Sequence, residues 1–380
     1  MDKVAITGFR MASALDLETT RERLTFDLTR GLLDDLGIER DDVGTFIICT
    51  NDFLDGRTIS NVFLDGPVGA YMKDESKVEM DGLNALAYAA MRILSGQYDT
   101  ALVFTAALTG TQVSPYLHID YTLDPDYDRQ LKLLNELSAA ALEARSYLDG
   151  NSYPYELLDD VAAKDLANAA LNPDQARRLE GISKDKVAGS DYLYEPLREL
   201  HCYPPTDGGC VMLLASEKKA KELTDKPVWV LGIGRSTDAY YIGDRDLSTS
   251  RSAAEAGERA CGMAGIKDPV KELDLAEISS LFAHQEPLLA EALGLVQKGK
   301  AAEVYKAGAT AIDGEFPINP SGGPLGGHPI CATGLMRAAE AVLQLRGEAG
   351  ERQVEKAGKA LVHGQDGVCA QQNVVAILGT

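Results

Sequence analysis

Apolar residues along the chain fall into two kinds of pattern. Short, nearly continuous apolar runs at residues 3–8, 46–49, 100–105, 211–215, 227–233, 360–363 and 373–378 read as buried strands. Between them lie stretches with helical apolar spacing. Residues 19–36 carry Leu24, Leu28, Leu32, Leu33 and Leu36 and stop at Gly37. Residues 84–94 stop at Ser95-Gly96, and residues 252–264, 285–293 and 335–345 repeat the spacing. Residues 77–79 form a short extended piece ahead of the helix at 84. Strands alternating with helices in this way predict an α/β chain on a doubly wound parallel sheet.

Residues 107–207 break the alternation. They hold nine of the fifteen tyrosines, among them Tyr116, Tyr121, Tyr147, Tyr153 and Tyr203, and two helical pieces at 157–171 and 174–179. Such an excursion over a sheet caps an active site or builds a wet interface, and the residues leave both open. His118 and His201 lie here without a motif and read as loop or surface residues. The helix-then-strand order at 84–105 recurs at 335–363, a weak internal repeat. Gly232 and Gly234 lack the spacing of a dinucleotide fingerprint and read as a strand end.

Length and charge narrow the classes. A chain of 380 residues is long enough for two core-building units. It has no run of 18 apolar residues, so no spanning helix is expected, and its first residues already read as a strand rather than a signal peptide. Six cysteines without motif spacing argue against a disulfide scaffold and against a metal site in this chain, and suit a reducing cytoplasm. A net charge of −21 disfavours nucleic acid and anionic membrane as partners. Any anionic ligand needs a locally basic site or one completed by another chain.

The densest candidate chemistry lies at residues 319–334, Asn-Pro-Ser-Gly-Gly-Pro-Leu-Gly-Gly-His-Pro-Ile-Cys-Ala-Thr-Gly. Five glycines and three prolines surround one histidine, His328, and a helix pattern follows at once. A glycine-rich turn feeding a helix start presents backbone N–H groups, and a histidine held there is placed to polarise a carbonyl or move a proton. A tight structural turn with an incidental histidine is the alternative.

This stretch resembles the Asn-Pro-(Ser/Gly)-Gly…Gly-His-Pro-x-Gly-Ala-Thr-Gly signature of the thiolase superfamily, in its sterol-carrier-protein-type and archaeal branch. Residues 345–354, Leu-Arg-Gly-Glu-Ala-Gly-Glu-Arg-Gln-Val, are similar to the branch pattern after the same helix, and residues 196–216 contain Thr-Asp-Gly-Gly where the family has Ser-Asp-Gly-Ala. The resemblance implies a duplicated five-layered α/β/α/β/α fold with an inserted loop domain: residues 1–225 as the first half, with about 107–207 inserted, and 226–380 as the second. It also implies an acyl-CoA thioester as substrate, with Asn319, Gly322, Gly323, Gly327 and His328 at the site. A homodimer core through the first half and a small zinc-ribbon and OB-type partner subunit are implied as well.

Three positions depart from the family pattern. Counted back from the helix end at Ser95-Gly96, Glu79 falls on the nucleophilic cysteine and Gly82 on the family glycine; counted forward from Val78, Gly82 takes the cysteine position. Neither register supplies a thiol. Ser279 stands for the histidine or asparagine of the family tetrad, with His284 displaced beyond it. His363-Gly364-Gln365-Asp366-Gly367 resembles His-Asn-x-Gly-Gly, with Asp366 in place of a glycine. Three readings follow: acid–base carbon–carbon chemistry on a CoA thioester through Glu79, His328 and His363; a catalytically silent subunit supporting a partner; or acyl transfer through Cys331 or Cys369.

Overall fold

The computed structural model describes residues 3–111, 113, 121–131 and 134–380. Eleven strands and seven long helices organise them. In chain order these are β1 Val4–Ala14, α1 Arg21–Leu36, β2 Thr45–Cys49, β3 Asp74–Val78, α2 Gly82–Leu94, β4 Thr100–Ala107, α3 Glu136–Asn151, α4 Leu157–Leu171, β5 Tyr192–Tyr194, β6 Leu197–Arg198 and β7 Asp207–Ser216. The second part holds β8 Val228–Thr237, α5 Arg251–Ala264, β9 Leu275–Ile278, α6 Gln285–Ala292, α7 Thr333–Arg346, β10 Lys359–Asp366 and β11 Gln372–Gly379. Local chemistry sets the helix ends. Thr20 caps α1 by accepting from the Arg23 N–H, and Gly37 closes it at φ +63°.

Nine strands share one sheet in the order β3-β2-β4-β7-β1-β8-β11-β10-β9. Its two parts meet through only two residue pairs, Ala5 with Trp229 and Ile6 with Val228. The sheet is mixed, which corrects the parallel expectation. Only β2–β3, β2–β4 and β9–β10 run parallel. β7 returns from the long excursion antiparallel to both β1 and β4, and β11 follows β10 as a hairpin. Apolar runs are alike in buried strands of either direction, so periodicity does not separate the two.

Three apolar cores give the layers. α1 covers one face of the first strands through Leu24, Leu28, Phe46 and Phe104. α2 and α7 form the central layer, where Leu83, Leu86, Leu335 and Val342 pack between Val103 and Met212 on one side and Val362 and Val374 on the other. α5 and the excursion cover the second outer face. Gly232 and Gly234 lie within β8, not at its end: a methyl on either would strike the Ala260 or Ala256 carbonyl of α5, so glycine there lets helix and strand approach.

The excursion is built from α3, α4 and the ribbon β5–β6. Residues 174–179 form no helix, contrary to expectation. Their donors go to the glycine-rich turn instead: Gln175 Nε2 donates to the Ser321 and Gly323 carbonyls, and the Arg177 N–H to that of Gly326. His201 is buried rather than on the surface, its Nε2 2.9 Å from Asp159 Oδ1. Tyr147 and Tyr153 are buried, whereas Tyr121, Tyr127, Tyr192 and Tyr194 are exposed. Tyr116 and His118 lie outside the described residues. No described helix is long and apolar enough to cross a membrane.

Candidate active site

Two helix starts meet at one carboxyl group. β3 ends at Val78, the chain turns through Met80 at φ +83°, and Asp81 caps α2. Asp81 Oδ1 accepts from the Leu83 N–H and Oδ2 from the Gly334 N–H, each at 2.8 Å. One side chain thereby satisfies orphan donors of both α2 and α7. Glycine is required around it, because a methyl on Gly334 or Gly364 would fall on Asp81 Oδ1. The Gly82 N–H donates to the Cys331 carbonyl at 2.7 Å and closes the joint. Burial pushes the Asp81 carboxyl up to about 7, against the pull of its backbone donors and with a further push from Asp366.

Asp81 lines a cavity of about 220 Å³. His328 lies in the same wall. Its Nδ1 is 2.7 Å from Thr333 Oγ1, and the Thr333 hydroxyl donates to the Pro329 carbonyl at 3.3 Å. A hydroxyl has one proton, so with that proton on Pro329 it accepts from Nδ1–H and leaves the Nε2 lone pair bare; this tautomer is assigned from the bonding pattern. Burial, with Arg337 nearby, lowers His328 to about 3, so the ring is neutral. Tyr203 meets it edge-on at 4.5 Å between ring centres and donates its hydroxyl to Glu136 Oε2 at 2.8 Å. Asp366, two residues along β10 from Gly364 and on the same face, is raised by burial to about 6. Gln285 and Gln365 complete the polar lining, with Gln285 held by Glu143 at 2.9 Å and by Gln365 at 3.0 Å.

Two thiols also reach the cavity. Cys369 donates its S–H to the Ala139 carbonyl at 3.4 Å, and burial pushes its thiol well up. Cys331 sits at φ +70° beside Cys49, whose thiol that neighbour and burial raise.

Of the residues singled out in the sequence, His328, Asp366, Gly367, Cys331 and Cys369 line the cavity. Glu79 does not. Its side chain is 56% exposed and pairs with Lys77 at 2.9 Å, because the positive-φ turn at Met80 sends Asp81 inward in its place. His363 is fully buried in β10 and outside the lining, its Nε2 2.8 Å from Asn373 Oδ1, and burial lowers it to about 4. Asn319 lies beneath the turn: it accepts from the Ile278 N–H at 2.7 Å and donates to Glu286 at 2.6 Å. Gly322 packs on Ala169, Gly323 over Asn319 and Gly327 on Ala176, so these glycines shape the turn away from the cavity, and Gly82 acts through its backbone. Ser279 and His284 are buried behind the wall, His284 against Glu143 at 2.8 Å. Asp81, Glu136, Tyr203, Gln285 and Gln365 were not picked out as site residues. For Asp81 a signal existed, an aspartate directly before a glycine and a helical apolar pattern, which is an N-cap signature.

Comparison with known proteins bears on this arrangement. Residues 234–380 match the thiolase C-terminal domain-like family model. The chain is 31% identical over 341 residues to the acetyl-CoA acetyltransferase of Methanothermobacter thermautotrophicus, covering 88% of each protein. It is 36% identical over 202 residues to rabbit (Oryctolagus cuniculus) sterol carrier protein 2, covering 51% of this chain and 36% of that protein. Among solved structures, the Ltp2–ChsH2(DUF35) aldolase superposes with a TM-score of 0.85 at 21% identity, covering 100% of this chain and 98% of that one. Human mitochondrial 3-ketoacyl-CoA thiolase gives a TM-score of 0.75 at 14% identity, covering 100% and 99%. The fold is that of thiolases.

Proposed function

The chain belongs to the thiolase superfamily, and from that premise we propose that it is an enzyme of acyl-CoA thioesters that breaks or forms a carbon–carbon bond at the 3-position by acid–base chemistry. One observation carries this reading: the start of α2 presents to the cavity a buried carboxyl group poised near neutrality, Asp81, and residues 79–84 there include no cysteine, serine or threonine. A group with a pKa near the working pH is matched to both taking and giving a proton. In the cleavage direction the Asp81 carboxylate takes the proton of a 3-hydroxyl. The C2–C3 electron pair moves to C2, releasing a carbonyl compound and the enolate of a shortened thioester. Asp81 then returns the proton to C2. Before the first of these transfers His328, neutral and with a bare Nε2, accepts the hydrogen bond of the 3-hydroxyl and aligns the substrate; the hydroxyl then turns its single proton to Asp81. The presence of an aldolase among the superposing folds supports this choice.

Assembly is part of the reading. The described lining contains no lysine or arginine for the coenzyme A phosphates, and the chain carries a charge of −21. We propose that a homodimer of this chain works with a second, smaller chain of the DUF35 kind, the component named in the superposing aldolase, and that the six free thiols act in a reducing cytoplasm. Copurification and reconstitution test the partner: activity of this chain alone equal to that of the complex removes the reason for it.

A second reading, acyl transfer through Cys331, is favoured by its place in the lining and by the acetyltransferase relatives. Incubation with 3-hydroxyacyl- and 3-oxoacyl-CoA thioesters separates the two. Carbonyl product without a protein adduct supports acid–base cleavage, whereas an acyl group on Cys331 supports transfer. No turnover with the partner present supports a silent subunit.

A further inference from the structure

Three carboxyl groups, Asp81, Glu136 and Asp366, share the cavity with apolar side chains, and no lysine or arginine is among its described lining residues. They stand on different elements. Asp81 joins the starts of α2 and α7, Asp366 ends β10, and Glu136 opens α3 beyond Tyr203. Tyr203 sets the spacing: its ring touches His328 and its hydroxyl bonds Glu136 Oε2 at 2.8 Å, so Glu136 lies one tyrosine length from the reacting end. Arg245, behind the wall, donates to the Val368 and Cys369 carbonyls instead of to a carboxylate.

Resting on the acyl-CoA reading above, we propose that the acyl chain selected here carries a hydrogen-bond donor, a hydroxyl or an ammonium, a few carbons beyond the reacting carbon, where Glu136 receives it, and that chains ending in a carboxylate are rejected. A carboxylate has acceptor sites beyond the one Tyr203 fills. A chain ending in a carboxylate would place a fourth acid in a small space with no counter-ion among the described lining residues, an unfavourable like-charge juxtaposition. A purely apolar chain would strip water from Glu136 and return no bond. Burial already holds Glu136 and Asp366 above the usual carboxylate range, in keeping with a site that tolerates no further negative charge.

The test uses binding, so that it does not depend on turnover. Saturated acyl-CoA thioesters of one chain length, lacking the 3-hydroxyl and ending in methyl, hydroxyl, ammonium or carboxylate, are titrated into the full chain, with its partner if one copurifies. The hydroxyl and ammonium forms should bind roughly 10-fold more tightly than the methyl form, and the carboxylate form about 100-fold more weakly. Glu136→Gln should bring the ammonium and methyl forms within about 3-fold of each other. Tyr203→Phe, which frees the carboxylate, should strengthen the ammonium preference and guards against a Glu136→Gln variant that fails to fold. Carboxylate and methyl forms binding alike overturns the proposal and leaves the acyl-CoA reading standing. Failure of every thioester to bind overturns both.

Discussion

The glycine-rich turn at residues 319–334 and the short turn at residues 79–82 meet at the cavity wall, yet they deliver side chains to it by different means. The long turn is anchored from below. Asn319 ties it to Ile278 and Glu286, Gln175 takes two of its carbonyls, and its glycines pack against α4 and the segment after it. His328 emerges from that frame at the place its motif implies. The short turn is tied to a distant segment only at its far end, where Asp81 and Gly82 bond the start of α7. One positive-φ residue, Met80, decides which neighbour faces in, and it sends Glu79 to solvent and Asp81 to the cavity. A motif with many anchors fixes the orientation of its central residue. A four-residue turn fixes only that some residue points inward.

Breaking each turn tests this contrast. The largest effect should come from the two residues that reach the cavity. His328→Ala and Asp81→Asn should each lower turnover roughly 100- to 10,000-fold, the range of a lost acid–base or aligning group, while circular dichroism stays near wild type. Glu79→Gln should leave turnover within about 2-fold, since surface changes away from such features cost little.

Gly334→Ala comes next. The added methyl falls where Asp81 Oδ1 lies, so the carboxyl must move. A loss of about 100-fold in turnover is expected, the scale set by misplacement of a catalytic group. A variant with unchanged turnover would mean that Asp81 need not hold its position.

Asn319→Ala probes the frame instead of the chemistry. It leaves the Ile278 N–H without its acceptor and takes one donor from Glu286, which keeps Lys164, and should lower unfolding free energy by roughly 2–4 kcal/mol. Turnover per folded molecule, read from active-site titration, should change little.

The pH response touches stability alone. Folded Asp81 titrates near 7, against an ordinary value of 3.8 in the unfolded chain. Between about pH 4 and pH 7 the folded state keeps a proton that the unfolded state gives up, so this group makes the protein less stable as pH rises through that window, with no further change above it. Asp81→Asn removes the dependence. Relative to wild type, the variant should therefore gain stability as pH rises from 4 to 7, by a few kcal/mol at most, roughly 1.4 kcal/mol for each pH step of one across that window. Denaturant melts at both pH values check the sign.

Much of the architecture was legible in the sequence because burial writes itself into apolar runs and helix spacing; the central helices α2 and α7 stood out for that reason. Strand direction was not legible, since β7 and β11 read as buried strands whichever way they run. Residues 174–179 looked helical because nothing in their spacing shows that Gln175 and Arg177 bond the carbonyls of a turn far along the chain. The site was half legible. His328 carried a motif, whereas Glu136 and Tyr203 lie 67 residues apart and meet only in the fold.

The central claim, acid–base carbon–carbon chemistry without an acyl-enzyme, is tested most directly by acid-quenching the protein during turnover of a 3-hydroxyacyl-CoA, with its partner chain present, and measuring intact mass and released products together. The account predicts a carbonyl compound and a shortened acyl-CoA in equal amounts and a protein of unchanged mass. A mass increase equal to an acyl group, mapped to Cys331 or Cys369, would contradict it, as would the absence of both products.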